Sequence, residues 1–161
     1  MCGRLSIYTA QLTRLLMSIM QETYPGADDY NAAPTQTLPV IRRGADGGFE
    51  CMPMRWWLTP SWSQAPTIQY SMFNAKVETA AKSPAFKKPF QKQRCVVPVS
   101  GFYEWYRSDN GKQPFLINDQ AQNGLLLAGI WDAWRPKGGA GAAAELLSFT
   151  LLTAAAHENM R

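Results

Sequence analysis

Hydrophobic positions near the start of the chain recur at helical spacing. The apolar positions between Thr9 and Glu22 are Leu12, Leu15, Leu16, Ile19 and Met20. Positions three and four apart share one face of an α-helix, so this pattern predicts an amphipathic helix from Thr9 to about Glu22. A threonine side chain can accept a hydrogen bond from the first turn, and we expect Thr9 to cap this helix.

Beyond this helix the pattern changes to short extended runs. Seven runs alternate or are continuously apolar: LPVIRR, FECMPMRWWL, CVVPVS, GFYEWY, PFLI, GLLLAGIW and ELLSFTLLT. Turn-forming residues separate them, including Gly44 to Gly48, the Asn110-Gly111 pair and the stretch PKGGAGAAA. The pattern predicts an α+β fold that is mainly antiparallel β and carries at least one packed helix.

Length and composition fit a single globular domain. The chain has 161 residues, of which 46% are hydrophobic, and domains of about 100 to 150 residues are the commonest. We therefore expect one domain over residues 1–161, with the stretch 136–144 as a hairpin loop rather than a linker. The sequence has no secretory signal and no run of about 18 apolar residues. We expect a soluble cytoplasmic protein without membrane contact.

Residues that could bind a metal are scarce. The three cysteines, Cys2, Cys51 and Cys95, are odd in number and have no CxxC spacing, and His157 is the single histidine. These counts argue against a disulfide framework and against a zinc site. We predict no metal and no cofactor.

Positive charge is concentrated in one segment. The chain has a net charge of +4 and an isoelectric point near 9.1. The segment KSPAFKKPFQKQR contains no acid, and its five cations are Lys82, Lys87, Lys88, Lys92 and Arg94. A solvated surface would explain this run. Because Phe86 and Phe90 are interleaved with the cations, binding to nucleic-acid phosphates is the alternative, and both interpretations stay open at this point.

The chain opens MCGRLS, with a cysteine directly after the initiator methionine. Removal of Met1 would leave Cys2 with a free α-amine of pKa about 7.7 to 8.0 and a thiol of pKa about 8.5. An aldehyde can form a Schiff base with that amine, after which the sulfur closes a five-membered thiazolidine ring. The alternative is that Cys2 is simply a small residue allowed at this position.

Two later segments combine polar groups suited to chemistry. FNAKVETA brings Asn74, Lys76 and Glu78 together, and GFYEWY sets Glu104 among aromatic residues. In a strand, Glu104 shares a face with Phe102. If that face is internal, desolvation would raise the pKa of Glu104 and suit it to proton transfer. A solvent-facing or arginine-paired Glu104 is the alternative.

The stretch RWWLTPSW contains three tryptophans around Pro60. Tryptophans are ordinarily core residues, and we expect this of at least one of Trp56 and Trp57. Trp62 lies between two serines in a loop-like stretch, so we expect it to be exposed and able to stack on a base.

Several blocks along the chain carry a family resemblance. They are MCGR at 1–4, YNAAP at 30–34, MRWWLTPSW at 54–62, FNAKVETA at 73–80, RCVVPVSGFYEW at 94–105, KQPF at 112–115 and LLTAAA at 151–156. Together and in this order they resemble the SRAP family (SOS response-associated peptidase). The resemblance implies a barrel-like, mainly antiparallel α+β fold with a packed N-terminal helix and short helices.

The resemblance also implies a function and residue roles. Cys2, exposed by loss of Met1, would form a thiazolidine with the ring-opened sugar of an abasic site in single-stranded DNA. Asn74 would position the amine and the sugar, and Glu104 would act as general acid and base. The residues implied in DNA binding are Arg4 and Lys76 at phosphates, Trp62 and Trp105 beside bases, Asn31 in the pocket, and Lys82, Lys87 and Lys88 of the basic segment.

The sequence departs from the family pattern in three places. Lys76 stands where the family commonly has Arg, and Trp57 stands where it commonly has Gly. The sequence stops at Arg161, before the family's HxRMP segment, whose histidine assists sugar ring opening; His157 is not assigned that role. A natural short variant is one explanation, but we expect a C-terminally incomplete chain, because the barrel would otherwise lose its closing elements.

Three functions stay open on the sequence. The first is covalent capture of abasic sites, with β-elimination at the same Schiff base as an additional reaction. The second is a thiol autopeptidase limited to release of Met1, and the third is a module that binds single-stranded or modified DNA without covalent chemistry. We expect a monomer, associated with the nucleoid if its source is bacterial.

Overall fold

The computed structural model describes residues 3–66, 70–109, 111–137 and 145–155. These residues contain ten strands and three helices. In chain order they are β1 (Leu5–Ile7), α1 (Thr9–Met20), β2 (Asp29–Ala32), β3 (Thr37–Arg43), β4 (Phe49–Trp56), β5 (Asn74–Lys76), α2 (Val77–Ala80), α3 (Lys87–Lys92), β6 (Arg94–Val99), β7 (Gly101–Ser108), β8 (Gly111–Asn118), β9 (Leu125–Trp134) and β10 (Leu146–Thr153). Each of the seven runs predicted as extended coincides with a strand, which confirms those predictions.

Five strands form a closed barrel. Their order is β4-β3-β6-β9-β10, and a parallel pairing of β10 with β4 closes the ring. The remaining pairings within the barrel are antiparallel, while β5 adds to β10 as a sixth, parallel strand. The five strands, the last of which ends at Thr153, therefore form a closed ring.

A second sheet of four antiparallel strands lies beside the barrel in the order β2-β1-β7-β8. β1, at the start of the chain, is one of its two inner strands. The two sheets together confirm the predicted α+β, mainly antiparallel and barrel-like fold.

One apolar cluster joins the barrel, the second sheet and α1. Its most deeply buried members include Leu5 and Ile7 from β1, Leu12 and Leu16 from α1, and Val40, Met54, Trp56 and Phe149 from the barrel. The rings of Trp56 and Phe149 stack inside the barrel, with centroids 6.4 Å apart. Each large side chain buried here contributes about 1.5–3 kcal/mol of transfer free energy, so this cluster fixes the position of β1 against the barrel.

The first turn of α1 is capped by a residue distant in sequence. The backbone N–H and the hydroxyl of Thr9 both donate to Asp28 Oδ1 at 2.7 Å, while the N-cap residue, Tyr8, makes no side-chain cap hydrogen bond. These hydrogen bonds lower the pKa of the Asp28 carboxyl. The prediction that Thr9 caps the helix is therefore wrong. The helix ends at Met20 because Gln21 adopts a left-handed conformation, with φ of 59°.

A smaller apolar cluster attaches the basic segment to the barrel. Phe86 and Phe90 pack, together with Trp57, against buried residues of the barrel and the loop preceding β5, which are Leu58, Met72 and Ile130. The two phenylalanines therefore anchor α3. They are half-buried rather than exposed among the lysines.

Candidate functional site

The chain enters the second sheet beside β7, the strand that carries Glu104. β1 lies between β2 and β7, and the N–H of Tyr103 donates to the Arg4 carbonyl at 3.0 Å. One further step of this antiparallel register sets Gly3 beside Glu104. Cys2 precedes Gly3 in the sequence and lies, with Met1, outside the described residues.

Phe73 brings the Asn74 segment to the same place. A Cβ atom at Gly3 would lie 3.7 Å from Cε2 of Phe73, so the chain start lies against that ring. The Phe73 carbonyl accepts hydrogen bonds from Nε1 of Trp56 at 2.9 Å and from the N–H of Leu151 at 3.0 Å. Because both donors belong to barrel strands, the start of β5 is fixed, and with it Asn74, whose side-chain oxygen is buried.

Arg4 and Asn31 are in direct contact. Nε of Arg4 donates to Oδ1 of Asn31 at 3.1 Å, and the N–H of Asn31 donates to Oδ1 of Asp29 at 2.9 Å. The hydroxyl of Tyr103 donates to the Tyr30 carbonyl at 2.9 Å, which ties β7 to β2 across β1. The structure thus brings together two residues predicted to bind DNA.

Strand alternation divides the predicted residues of this region between two faces of the sheet. Phe102 packs against the core, and Glu104, two residues later in β7, lies on the same face and is half-buried. Tyr103 and Trp105 lie on the other face, where Trp105 is 39% exposed. We call Gly3, Arg4, Asn31, Asn74 and Glu104 the chain-start site.

The three tryptophans of RWWLTPSW have different environments. Trp56 is fully buried, whereas Trp62 is 58% exposed, which confirms the predicted exposure. Trp57 is half-buried, and its ring lies 5.7 Å from that of Phe73. The tryptophan that stands where the family commonly has Gly therefore packs behind the Asn74 segment.

Two lysines flank Trp62. Nζ of Lys88 lies 3.4 Å from the Ser61 hydroxyl, and Nζ of Lys137 donates to the Trp62 carbonyl at 3.3 Å. An exposed aromatic ring with cations nearby is typical of surfaces that bind single-stranded nucleic acid. We call Ser61, Trp62, Lys88 and Lys137 the Trp62 patch.

A buried carboxylate anchors this patch. Asp132 is 2% exposed and accepts hydrogen bonds from the N–H of Ser61 at 2.8 Å and from the side-chain amide of Gln93 at 3.2 Å. It thereby connects the loop before Trp62 with the residue that follows α3. The exposed side chains of the patch consequently rest on a fixed backbone.

The predicted cations Lys76, Lys82, Lys87 and Lys88 are all exposed. Lys76 ends β5 directly after the Asn74 segment, and Lys88 reaches the Trp62 patch. Backbone hydrogen bonds join the turns between them, as in Lys82 N–H to Thr79 carbonyl and Lys87 N–H to Ser83 carbonyl. The basic segment therefore follows β5 and α2 in the chain and reaches the Trp62 patch at Lys88.

The two described cysteines are poor nucleophiles. Burial raises the pKa of the half-buried Cys51 thiol to about 11 and that of the buried Cys95 thiol to about 12. Both are therefore protonated near neutral pH, where the thiolate is the reactive form. The predicted nucleophile, Cys2, and His157 lie outside the described residues.

The described part of the chain contains no group of three His, Cys, Asp or Glu side chains placed to hold a metal ion. Within the same part, no helix is long and apolar enough to cross a membrane.

Sequence reasoning missed Asp132 and Lys137. Asp132 stands at the end of the hydrophobic run GLLLAGIWDAW, where a lone carboxylate signals a buried hydrogen-bond acceptor. Lys137 falls within the low-complexity stretch. Its position next to a predicted strand was the sequence feature that could have indicated a fixed cation.

The fold has a close counterpart among solved structures. A crystal structure of a Bordetella bronchiseptica protein matches 98% of this chain and 74% of its own with a TM-score of 0.81, at 22% sequence identity. The shared fold is a barrel with an attached sheet that contains the chain start. The family model of SOS response associated peptidase (SRAP) matches residues 1–161, and the chain belongs to that family.

Two curated relatives have names that state what they process. The abasic site processing protein YoaM of Bacillus subtilis is 31% identical over 166 residues, which is all of this chain and 70% of that protein. The abasic site processing protein HMCES of Gallus gallus is 32% identical over 161 residues, covering 81% of this chain and 47% of that protein.

Proposed function

We propose that this protein binds abasic sites in single-stranded DNA and attaches itself covalently to them through Cys2. The observation that carries the proposal is the convergence on Gly3, the residue bonded to Cys2. Continuing the β1–β7 register by one residue puts Glu104 opposite Gly3, and Asn74 follows Phe73, whose ring lies near Gly3. A proton-transfer group and an amide are thus available at the start of the chain, and the relatives' names support an abasic substrate.

The reaction requires amine, thiol and acid–base groups in one place. Once Met1 is removed, the neutral Cys2 amine adds to the aldehyde carbon of the opened sugar, and the resulting carbinolamine loses water to give an imine. The sulfur then adds to the imine carbon while the thiol proton passes to nitrogen, closing the thiazolidine. The net change is the loss of one water. Glu104 donates the proton that lets the hydroxyl leave, and Asn74 orients the reacting groups by hydrogen bonding.

The surface around the site suits a single strand. Arg4, held by Asn31, and the exposed Lys76 supply phosphate contacts on either side of the chain start. Trp62 offers its face to an unpaired base. An abasic nucleotide has no base to unstack, so bringing its sugar to Cys2 costs less than extruding an intact nucleotide.

The test is a denaturing gel of the protein with single-stranded DNA that carries one abasic site. Wild-type protein should give a shifted band that survives denaturation and needs the lesion, and Cys2→Ala should give none while retaining binding in a native assay. Cys51→Ala is the matched control, since its half-buried, protonated thiol is not expected to react. Mass spectrometry confirms removal of Met1 in each variant. A band of equal strength from Cys2→Ala would contradict the proposal.

Non-covalent binding is the second candidate, favoured by the exposed Trp62 and the two lysines that contact Ser61 and the Trp62 carbonyl. It predicts no denaturation-resistant band from wild-type protein, and equal affinity of wild-type protein and Cys2→Ala for single-stranded DNA.

A further inference from the structure

A basic cleft opens on the barrel beside the pairing of β3 with β6. These two strands pair through Ile41 with Val96 and Arg42 with Cys95. The cleft beside this pairing is open to solvent and has a volume of about 430 Å³, and the described residues that line it include four cations and no carboxylate: Arg42, Arg43, Lys92 and Arg94. We call it the β3–β6 cleft.

The arginines of the cleft are held against aromatic rings. The guanidinium of Arg42 lies 4.3 Å from the Trp131 ring centroid and pairs with Glu50 at 2.7 Å. Arg43 lies 5.4 Å from the ring centroid of Phe49 and donates to the Gly47 carbonyl at 2.8 Å. Glu50 therefore offsets one cation of the cleft, and the others retain their charge for a ligand.

Arg94 is positioned in a similar way. Its Nε donates to the Phe90 carbonyl at 3.0 Å, and its guanidinium lies 5.9 Å from the Phe90 ring. Phe90 is itself anchored on the barrel. A guanidinium that is already held in place loses little conformational freedom when it binds a phosphate.

Phe49 gives the cleft a flat apolar surface. Its side chain is 53% exposed although Arg43 lies over its ring. Cations beside an exposed aromatic ring match what a single strand offers, since phosphates pair with the cations and bases stack on the ring. An acidic peptide would use the cations but would have no corresponding use for the ring.

The cleft is connected to the Trp62 patch by α3. Lys88, near the start of this helix, reaches Ser61, while Lys92 at its end lines the cleft. Six helical residues span about 9 Å. Cations on α3 therefore lead from the Trp62 patch to the cleft.

We infer that the β3–β6 cleft is a second binding surface for the phosphates of single-stranded DNA, occupied by the part of the strand that extends past the Trp62 patch. The inference rests on the proposed function for the identity of its ligand as DNA. It predicts that strands long enough to reach the cleft bind more tightly, with a greater salt dependence, than strands that fill only the chain-start site.

The test compares Arg43→Gln with Arg14→Gln, which removes the same charge from an exposed position on α1. Binding of undamaged oligonucleotides is followed by fluorescence anisotropy over a range of salt concentrations. For a long strand, Arg43→Gln should reduce the slope of log K against log[salt] by about 0.7 for each phosphate that the protein no longer neutralises. It should also weaken binding several-fold, whereas Arg14→Gln should change neither quantity. A short strand, within the range of about 4–16 nucleotides that one site covers, should bind all three proteins equally.

Arg94→Gln is the second variant, and it is decisive if Arg43→Gln alters folding through its hydrogen bond with the Gly47 carbonyl. The inference would be overturned if the folded Arg43→Gln and Arg94→Gln variants bound the long strand with wild-type affinity and salt slope. It would also be overturned if Arg14→Gln reduced both quantities equally. Crosslinking of a short abasic strand by wild-type protein, measured in parallel, reports on the proposed function alone. If no crosslink formed while Arg43→Gln still weakened long-strand binding, the covalent mechanism would be contradicted and the inference about the cleft would still hold.

Discussion

The chain-start site and the Trp62 patch are built in different ways. In the chain-start site, backbone register and core contacts hold the residues: the N–H of Tyr103 donates to the Arg4 carbonyl, and Gly3 lies against Phe73. In the Trp62 patch the side chains of Trp62 and the two lysines are exposed, and the backbone beneath Trp62 is fixed through Asp132. The first arrangement suits chemistry, which needs precise placement of atoms. The second suits a phosphate chain of variable sequence, for which charge and a stacking surface are enough.

The two regions should therefore affect different measured quantities. Changes in the chain-start site should lower the rate of crosslinking at saturating DNA, and changes in the Trp62 patch should lower affinity while leaving that rate unaltered.

The largest effect is expected from Glu104→Gln. Removal of a general acid–base group should slow crosslinking by about 100-fold or more, with unchanged affinity for undamaged single-stranded DNA. Single-turnover gel assays at saturating DNA measure the rate, and anisotropy measures the affinity. Glu78→Gln is the matched control, because Glu78 is an exposed carboxylate of α2. A wild-type crosslinking rate in Glu104→Gln would contradict a catalytic role for Glu104 and for the chain-start site.

An intermediate effect is expected from Trp62→Ala. Loss of a stacking surface should cost about 1–3 kcal/mol of binding free energy for single-stranded DNA, which is roughly 5- to 150-fold in Kd. The crosslinking rate at saturating DNA should not change. Trp62→Phe retains a flat ring and should recover most of the affinity. If Trp62→Ala instead lowered the saturating rate, Trp62 would belong to the reacting region.

The smallest effect on DNA is expected from Asp132→Asn. The substitution sets an amide where a buried carboxylate accepts hydrogen bonds from Ser61 and Gln93, and it should lower the free energy of unfolding by about 1–3 kcal/mol. Thermal unfolding should show a Tm lower by roughly 2–4 °C for each kcal/mol of that decrease. Affinity should fall a few-fold as the backbone under Trp62 loosens. Asp109→Asn, at an exposed position, is the control. Unchanged Tm would mean that Asp132 does not anchor the patch.

The elements that could be predicted from sequence depend on local patterns. The seven hydrophobic runs became strands because their apolar alternation is set by neighbouring residues, and α1 was evident from the spacing of its leucines. β5 was missed because it has only three residues, and the strand with which it pairs, β10, is far away in the sequence. The cap of α1 was missed for the same reason, since Asp28 lies 19 residues from Thr9.

The same distinction between local and long-range patterns applies to the candidate site. Cys2, Asn74 and Glu104 could be proposed from residue chemistry and family motifs, and Trp62 from its loop-like surroundings. The β3–β6 cleft could not, because its cations come from β3, α3 and β6 and meet only through long-range strand pairing. The basic segment was recognised, but burial of Phe86 and Phe90 became evident only with the barrel against which they pack.

Peptide mapping by mass spectrometry of the crosslinked product tests the central claim most directly. Wild-type protein is incubated with abasic single-stranded DNA, digested with nuclease and trypsin, and searched for the modified peptide. The account predicts that the DNA remnant is attached to the N-terminal peptide that contains Cys2, Gly3 and Arg4, with a mass equal to the sum of peptide and remnant less one water. Attachment at Lys76 or another lysine instead of Cys2 would contradict it.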